Sequence, residues 1–279
     1  MKRLILTCLL VLCLPVLSFG ADCKAIYGKG STTLVLATGS PGELGLLGEL
    51  ADAFNAEHDT TLCWVKAGSG KSLNLLKAGK VDLVMVHAPA AEKQAVKDGW
   101  AAKRALIGSN EFYVVGPVND PAGIASAATV AEAYSRIAEK QALFFSRGDN
   151  SGTHKKELAI WKNTGVTPEG SWYQVTNDFM QATLLKADSE SGYFMTDSST
   201  WVATKAKVKN LKILFKGDVF LVNTYHALLG SNGHNAELSA KFIDFLISEK
   251  GQSLFADYGK NLYGEGMYND AAYAKKYDH

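Results

Sequence analysis

Short apolar runs alternate along this chain with longer stretches whose apolar residues recur at helical spacing, which predicts α/β architecture with mainly parallel sheets. "STTLVLATGS" predicts a strand, and "PGELGLLGELADAFNAEH" predicts a helix with Leu44, Leu47, Leu50, Ala51 and Phe54 on one face. "TTLCWVKAGSG" predicts a strand ending in a glycine-serine turn, then a short helix through Leu73 and Leu76 that Gly79 terminates. "VDLVMVHAP" is apolar throughout, as suits a strand buried on both faces. Strands are also expected in "EFYVVGP", "ESGYFMTD" and "LKILFKG", and a helix near residues 127–140. "ALFFSRGDNSGTHKKELAIW" predicts a strand, a polar loop and a helix with Leu158 and Trp161 inward. After "YHALLGS", "NAELSAKFIDFLISEKGQSLF" predicts one amphipathic helix.

The start of the chain departs from this pattern. Lys2 and Arg3, an apolar run over residues 4–19 and small residues at Ser18 and Gly20 predict a secretory signal peptide, residues 1–20, cleaved near Gly20/Ala21. The run is short for a membrane span, and Asp22 before Cys23 does not fit a lipid-anchor signal. A soluble, exported product is expected. Cys8 and Cys13 leave with the signal, and in an oxidising compartment Cys23 and Cys63 most simply pair, the alternative being two buried thiols. Cleavage also takes Lys2 and Arg3 from 29 basic residues set against 28 acidic ones. A near-neutral chain has no electrostatic basis for binding nucleic acid or membrane.

Three times the chain repeats a strand, a Ser/Thr/Gly loop and a helix start: at Thr38-Gly39-Ser40, at Gly68-Ser69-Gly70, and from Ser146 to Thr153. Helix N-termini expose unpaired N–H groups with partial positive charge, which suits an anion. Glycine allows close approach, and hydroxyls add donors without net charge. Any one loop reads more simply as a capped helix. Three together, one carrying Arg147, favour convergence on an anion.

Other motifs give way on inspection. "AGSGKS" resembles a phosphate loop, but the pattern requires glycine where Val65 stands. No G-x-S-x-G elbow occurs, so a hydrolase using Ser151 and His154 is the weaker reading. The six histidines include no i,i+4 pair, so no metal site is expected. Arg147-Gly148-Asp149 as an adhesion tripeptide is a coincidence of composition.

"SRGDNSGTHKKE", with "VHAP", "GPVNDPAGI" and "FIDFLIS…GQ", resembles the tungstate-binding periplasmic proteins of Tup-type ABC importers, in their order and over nearly the whole mature chain. The resemblance implies a two-lobed periplasmic binding protein of the class II type, with two crossing hinge strands near 113–116 and 218–225. Lobe I would hold residues 21–112 and 222–279, and lobe II residues 113–221. The family's first ligand loop, usually Thr-Thr-Thr-Ser, falls on Ala37-Thr38-Gly39-Ser40, so Thr38 and Ser40 are retained. Its second falls on Gly68-Ser69-Gly70 and its arginine on Arg147, beside Ser151, Gly152 and Thr153. Asp197-Ser198-Ser199-Thr200 stands where relatives often read Asp-Arg-Gly-Thr.

The expected ligand set is therefore Thr38, Gly39, Ser40, Ser69, Gly70, Ser146, Arg147, Ser151, Gly152 and Thr153. The guanidinium suits a dianion shielded from water, while Asp149, which would repel it, is expected to orient Arg147 or cap the helix. The expected protein is a periplasmic, monomeric, non-enzymatic receptor without cofactor. It would capture tungstate, with molybdate second and phosphate or sulfate third, and deliver it to a permease in the inner membrane.

Overall fold

A computed structural model describes residues 22–231 and 233–278. The expected signal peptide, residues 1–20, lies outside them. In chain order the main elements are β1 (Ala25–Gly28), β2 (Thr32–Thr38), α1 (Ser40–Glu43), α2 (Leu46–Asn55), β3 (Thr60–Lys66), α3 (Ser69–Lys77), β4 (Leu83–Val86) and α4 (Pro89–Lys97). Then follow β5 (Ala101–Pro117), α5 (Val130–Glu139), β6 (Phe144–Ser146), α6 (Gly152–Thr164), β7 (Tyr173–Val175), α7 (Met180–Glu190) and β8 (Tyr193–Asp197). The chain continues with α8 (Ser198–Thr204), β9 (Leu211–Phe215), β10 (Val222–Gly230), α9 (Ala236–Ile247) and α10 (Glu249–Asp257).

Strand order is β1-β3-β2-β4-β10-β5-β8-β6-β7, with β9 also on β5. The parallel pairs are β2 with β3 and β4, and β6 with β7 and β8. The other pairs are antiparallel. The sheet is therefore mixed rather than mainly parallel, because β5 and β10 run against the strands they join. β5 is one strand of 17 residues. Its residues 101–111 pair with β10, while residues 112–117 pair with β8 and β9. The change of partner falls just before the expected 113–116. β10 begins at Val222, and Leu221 before it is buried with the second group of strands.

Alternation along β2 explains how the first part is filled. Leu34 and Leu36 pack on one face with Leu50, Phe54, Trp64 and Phe242, whereas Val35 and Ala37 pack on the other with Leu73, Leu76 and Val84. Period-two alternation with helices on both faces makes such a strand apolar throughout. The second part encloses Phe112, Val114, Tyr134, Phe144, Trp161, Leu184 and Phe194. Its centre is aromatic: Trp161 lies 4.5 Å from Tyr134 and 5.4 Å from Phe144, ring to ring. Cys23 and Cys63 form the expected disulfide, with Cα atoms 5.4 Å apart, rather than two buried thiols.

Three helix expectations need correction. The segment after β2 is two helices, because Gly45 at φ +96° breaks it, and Leu44 is left outside both. The C-terminal amphipathic stretch is likewise split at Ser248, whose extended ψ of 163° ends α9 while its hydroxyl caps α10 by accepting Gly251 N–H. In α6, Leu158 is 45 % exposed, and the inward face is Glu157, Ile160 and Trp161. A buried carboxyl on that face hid the true periodicity.

Candidate functional site

The first two loops leave the C-terminal ends of β2 and β3. Thr38 is buried, and its hydroxyl donates to Met85 O at 2.8 Å, so it braces neighbouring strands. Gly39 opens α1, and its carbonyl accepts from Gly42 and Glu43. The Ser40 hydroxyl reaches Asp197 Oδ2, 3.3 Å away at the end of β8. Ser69 Oγ accepts His87 N–H at 3.1 Å, which leaves its own proton free of that bond.

The third loop is the most constrained. Gly148 and Asn150 adopt φ of +65° and +57°, and Ser151 caps α6 by accepting His154 N–H at 3.2 Å. Asp149 does what its charge suggested: Oδ2 accepts from Arg147 at 2.5 Å and Oδ1 accepts Ser151 N–H. Arg147 Nε donates to Asp178 O at 3.2 Å, and its guanidinium lies over Phe179, 5.5 Å from the ring centre. With its side chain only 5 % exposed, Arg147 is a fixed cation and not a surface one. The amides of Gly152 and Thr153 open α6, where no preceding turn accepts them. Thr153 Oγ1 is buried and makes no hydrogen bond among the described residues.

The tertiary fold brings these loops against one another. A Cβ on Gly70 would stand 2.5 Å from Asn150 O, and one on Gly152 would stand 2.4 Å from the His87 ring. Glycine is needed at both positions because backbone or ring approaches from the other side. Ser40, Ser69, Gly70, Arg147, Ser151, Gly152 and Thr153 thus belong to one neighbourhood, with Gly39 at its α1 edge. Thr38 and Ser146 stand behind it. Ser146 is wholly buried next to Glu157 and Tyr173, and its hydroxyl has no hydrogen bond of normal geometry. A hollow of about 800 Å³ by Glu49, Tyr258 and Leu262 shares no residue with these loops.

Several participants were not anticipated. His87 directly follows β4, its ring tilted by 35° against Tyr225 at 4.8 Å; burial, with the Arg147 charge nearby, pushes its pKa down to about 4. Lys66 sits 4.0 Å from the centre of the same Phe179 ring that covers Arg147, and pairs with Glu43 at 2.9 Å. Asp197 caps α8, accepting from Thr200 N and Ser199 Oγ, and burial raises its pKa. Glu157, on α6 beside Ser146, is pushed up to about 7 by burial although Tyr173 and Trp161 donate to it. Of these, His87 lies in "VHAP", Glu157 closes "SRGDNSGTHKKE" and Asp197 opens its own motif, but none of the motifs indicated burial or a role for them. His154 Nδ1 accepts Asn150 N–H at 3.1 Å, so that nitrogen is engaged by the loop backbone rather than by the Ser151 hydroxyl.

Two crossing strands between two α/β cores, with opposed helix N-termini at the junction, define a substrate-binding protein of the periplasmic type. Residues 28–250 match the PBP superfamily domain. Tungstate-binding protein TupA of Peptoclostridium acidaminophilum is 34 % identical over 98 % of this chain and 99 % of its own length. TupA of Campylobacter jejuni is 33 % identical over 77 % of this chain and 82 % of its own. The crystal structure of the tungstate ABC transporter protein from Geobacter sulfurreducens superposes with a TM-score of 0.74 at 37 % identity, covering 82 % of this chain and all of that one. TupA from Desulfovibrio alaskensis G20 gives 0.72 at 35 % identity, covering 86 % and 99 %. The chain belongs to the TupA family of tungstate-binding proteins, substrate-binding components of ABC importers.

Proposed function

We propose that this protein captures tungstate in the periplasm and delivers it to an inner-membrane ABC permease, acting as a monomer without catalysis. Residues 21–112 with 222–279 form one lobe and residues 113–221 the other, and the ion lies between them. The observation that carries this reading is Arg147: buried, oriented by Asp149 and Asp178 O, and set beside the open first turn of α6. Among the described residues only two of its five donors are engaged, so a dianion has charge and donors to meet. Opposite lie neutral donors from Gly39, Ser40, Ser69 and Gly70. Donors from both lobes favour a closed form when the ion binds. A non-enzymatic role is supported by the geometry at Ser151, whose hydroxyl accepts from a backbone amide and has no imidazole base on it.

Molybdate, also a tetrahedral dianion without a proton, is the second ligand of this reading. Phosphate is the alternative that one observation favours: Asp197, facing Ser40, is a second carboxylate at the site, and a protonated phosphate would use such an acceptor. Calorimetric titration of wild type and Asp149→Asn with tungstate, molybdate, sulfate and phosphate separates the readings. For tungstate, Asp149→Asn leaves binding intact or weakens it through misplacement of Arg147. Tight phosphate binding in wild type overturns the assignment, and its loss in Asp197→Asn would identify Asp197 as the acceptor.

A further inference from the structure

The two strands that pass between the cores carry a buried amide pair. Asn223 of β10 and Asn110 of β5 are register partners, and both are almost wholly buried. Two amides at such positions cost desolvation unless every group is bonded. Asn223 Nδ2 donates to Asn110 Oδ1 at 2.7 Å, and Asn110 Nδ2 donates to Ser199 Oγ at 3.0 Å. Ser199 Oγ donates to Asp197 Oδ1 at 2.6 Å, and Ser40 Oγ meets Asp197 Oδ2. At the other end, Asn223 Oδ1 is 2.8 Å from His87 Nδ1.

The direction of this chain follows from its end. Asp197 Oδ1 already accepts Thr200 N–H, so Ser199 must donate to it and accept from Asn110. Each link fixes the next, and Asn223 Oδ1 is left as an acceptor. His87 must then carry its proton on Nδ1. Its low pKa agrees, since a neutral ring has one such proton to place.

We propose that the relay His87–Asn223–Asn110–Ser199–Asp197–Ser40 is the latch of this receptor: it holds His87 in the Nδ1–H tautomer, joins the two sides of the site through the crossing strands, and sets how slowly a bound oxyanion leaves. Asn110, Asn223 and Ser199 are positioning residues, acting through His87, Asp197 and Ser40. The inference rests on the receptor reading above only for its ligand, not for the relay itself.

Asn223→Leu cuts the chain next to His87, and Ser199→Ala cuts it further along without leaving an unpaired amide on β10. The tautomer is read from imidazole ¹⁵N shifts at pH 7. Exchange of bound tungstate against excess molybdate gives the dissociation rate in stopped flow. Wild type shows a single Nδ1–H tautomer, and both variants show mixed populations. Tungstate leaves Asn223→Leu about tenfold faster, the factor equivalent to ~1.4 kcal/mol of closed-form preference, with association altered less than about twofold. Should Asn223→Leu fail to fold, Ser199→Ala carries the same expectation. A mixed His87 tautomer in wild type, or dissociation within about twofold of wild type in the folded variants, overturns the latch. If wild type binds none of the anions tried, the receptor reading falls, and the tautomer decides the relay alone.

Discussion

The two sides of the site are built on opposite principles. The side carried by β2, β3 and β4 is rich in neutral donors, with Lys66 paired to Glu43, and its hydroxyls brace the sheet or reach across, as Thr38 does to Met85 and Ser40 to Asp197. It rests on a sheet with helices on both faces, where Leu34, Leu36 and Leu50 pack with Phe54, Trp64 and Phe242, and is tied to the start of the described chain by Cys23–Cys63. The side carried by β6 and α6 concentrates charge. Arg147, Asp149 and Glu157 lie within one loop and two helical turns, over an aromatic core without a disulfide among the described residues. On the proposed reading, a wall rich in hydroxyl and amide donors faces a pre-oriented cation, and a dianion would meet charge from one side and shape-fitting donors from the other.

The comparison can be broken most forcefully at the disulfide. Closing a chain separation of 40 residues is worth ~4 kcal/mol by loop entropy, so Cys23→Ala with Cys63→Ala should lower stability by about that much. Urea unfolding measures the total, and hydrogen exchange should place the loss around β1 and β3 while α6 stays protected. Equal loss of protection in α6 would show that the two sides are one cooperative unit.

Arg147 tests the charged wall. Arg147→Ala should cost ~1.5–3 kcal/mol of tungstate binding, at least about tenfold in affinity, with little change in melting temperature. Arg147→Lys should recover only part, because it restores the charge without the planar fork. Calorimetry that finds unchanged affinity in Arg147→Ala removes the charged wall from the binding site.

The smallest net effect concerns pH. Glu157 has its pKa raised to about 7, so its contribution to stability is full below the ordinary carboxyl range and is lost as pH rises through about 7. His87, lowered to about 4, acts in the other sense: its contribution is full above 6.5 and is lost as pH falls toward 4. Across mildly acidic pH the two slopes oppose, and wild type should vary little. Glu157→Gln should unmask stability that climbs from pH 4.5 to 6.5. A melting curve set that remains flat in this variant would mean the two buried groups do not oppose each other.

How much of this was legible along the chain depends on the range of the interactions involved. Helix caps, strand alternation and the loop from Ser146 to Thr153 are encoded by neighbours within a few residues, so pattern reading found them. Asp149 could be assigned to Arg147 because it sits two positions away. The break at Gly45 was missed because one glycine costs a helix little unless tertiary contact demands φ of +96°. Leu158 was misplaced because Glu157 took the buried position of an apolar residue.

The class of fold, the family, the pairing of the cysteines and the three Ser/Thr/Gly loops at helix starts could be read from the chain alone, since each is written in local pattern or in one ordered set of motifs. Only tertiary structure decided which groups face one another. Asn110 meets Asn223 across a separation of 113 residues and Ser40 meets Asp197 across 157, and nothing near any of them in the chain announces the pairing. The physical reason is register. Hydrogen bonds between strands depend on how whole sheets align, and that alignment is set by the cores packed behind them rather than by the residues that use it.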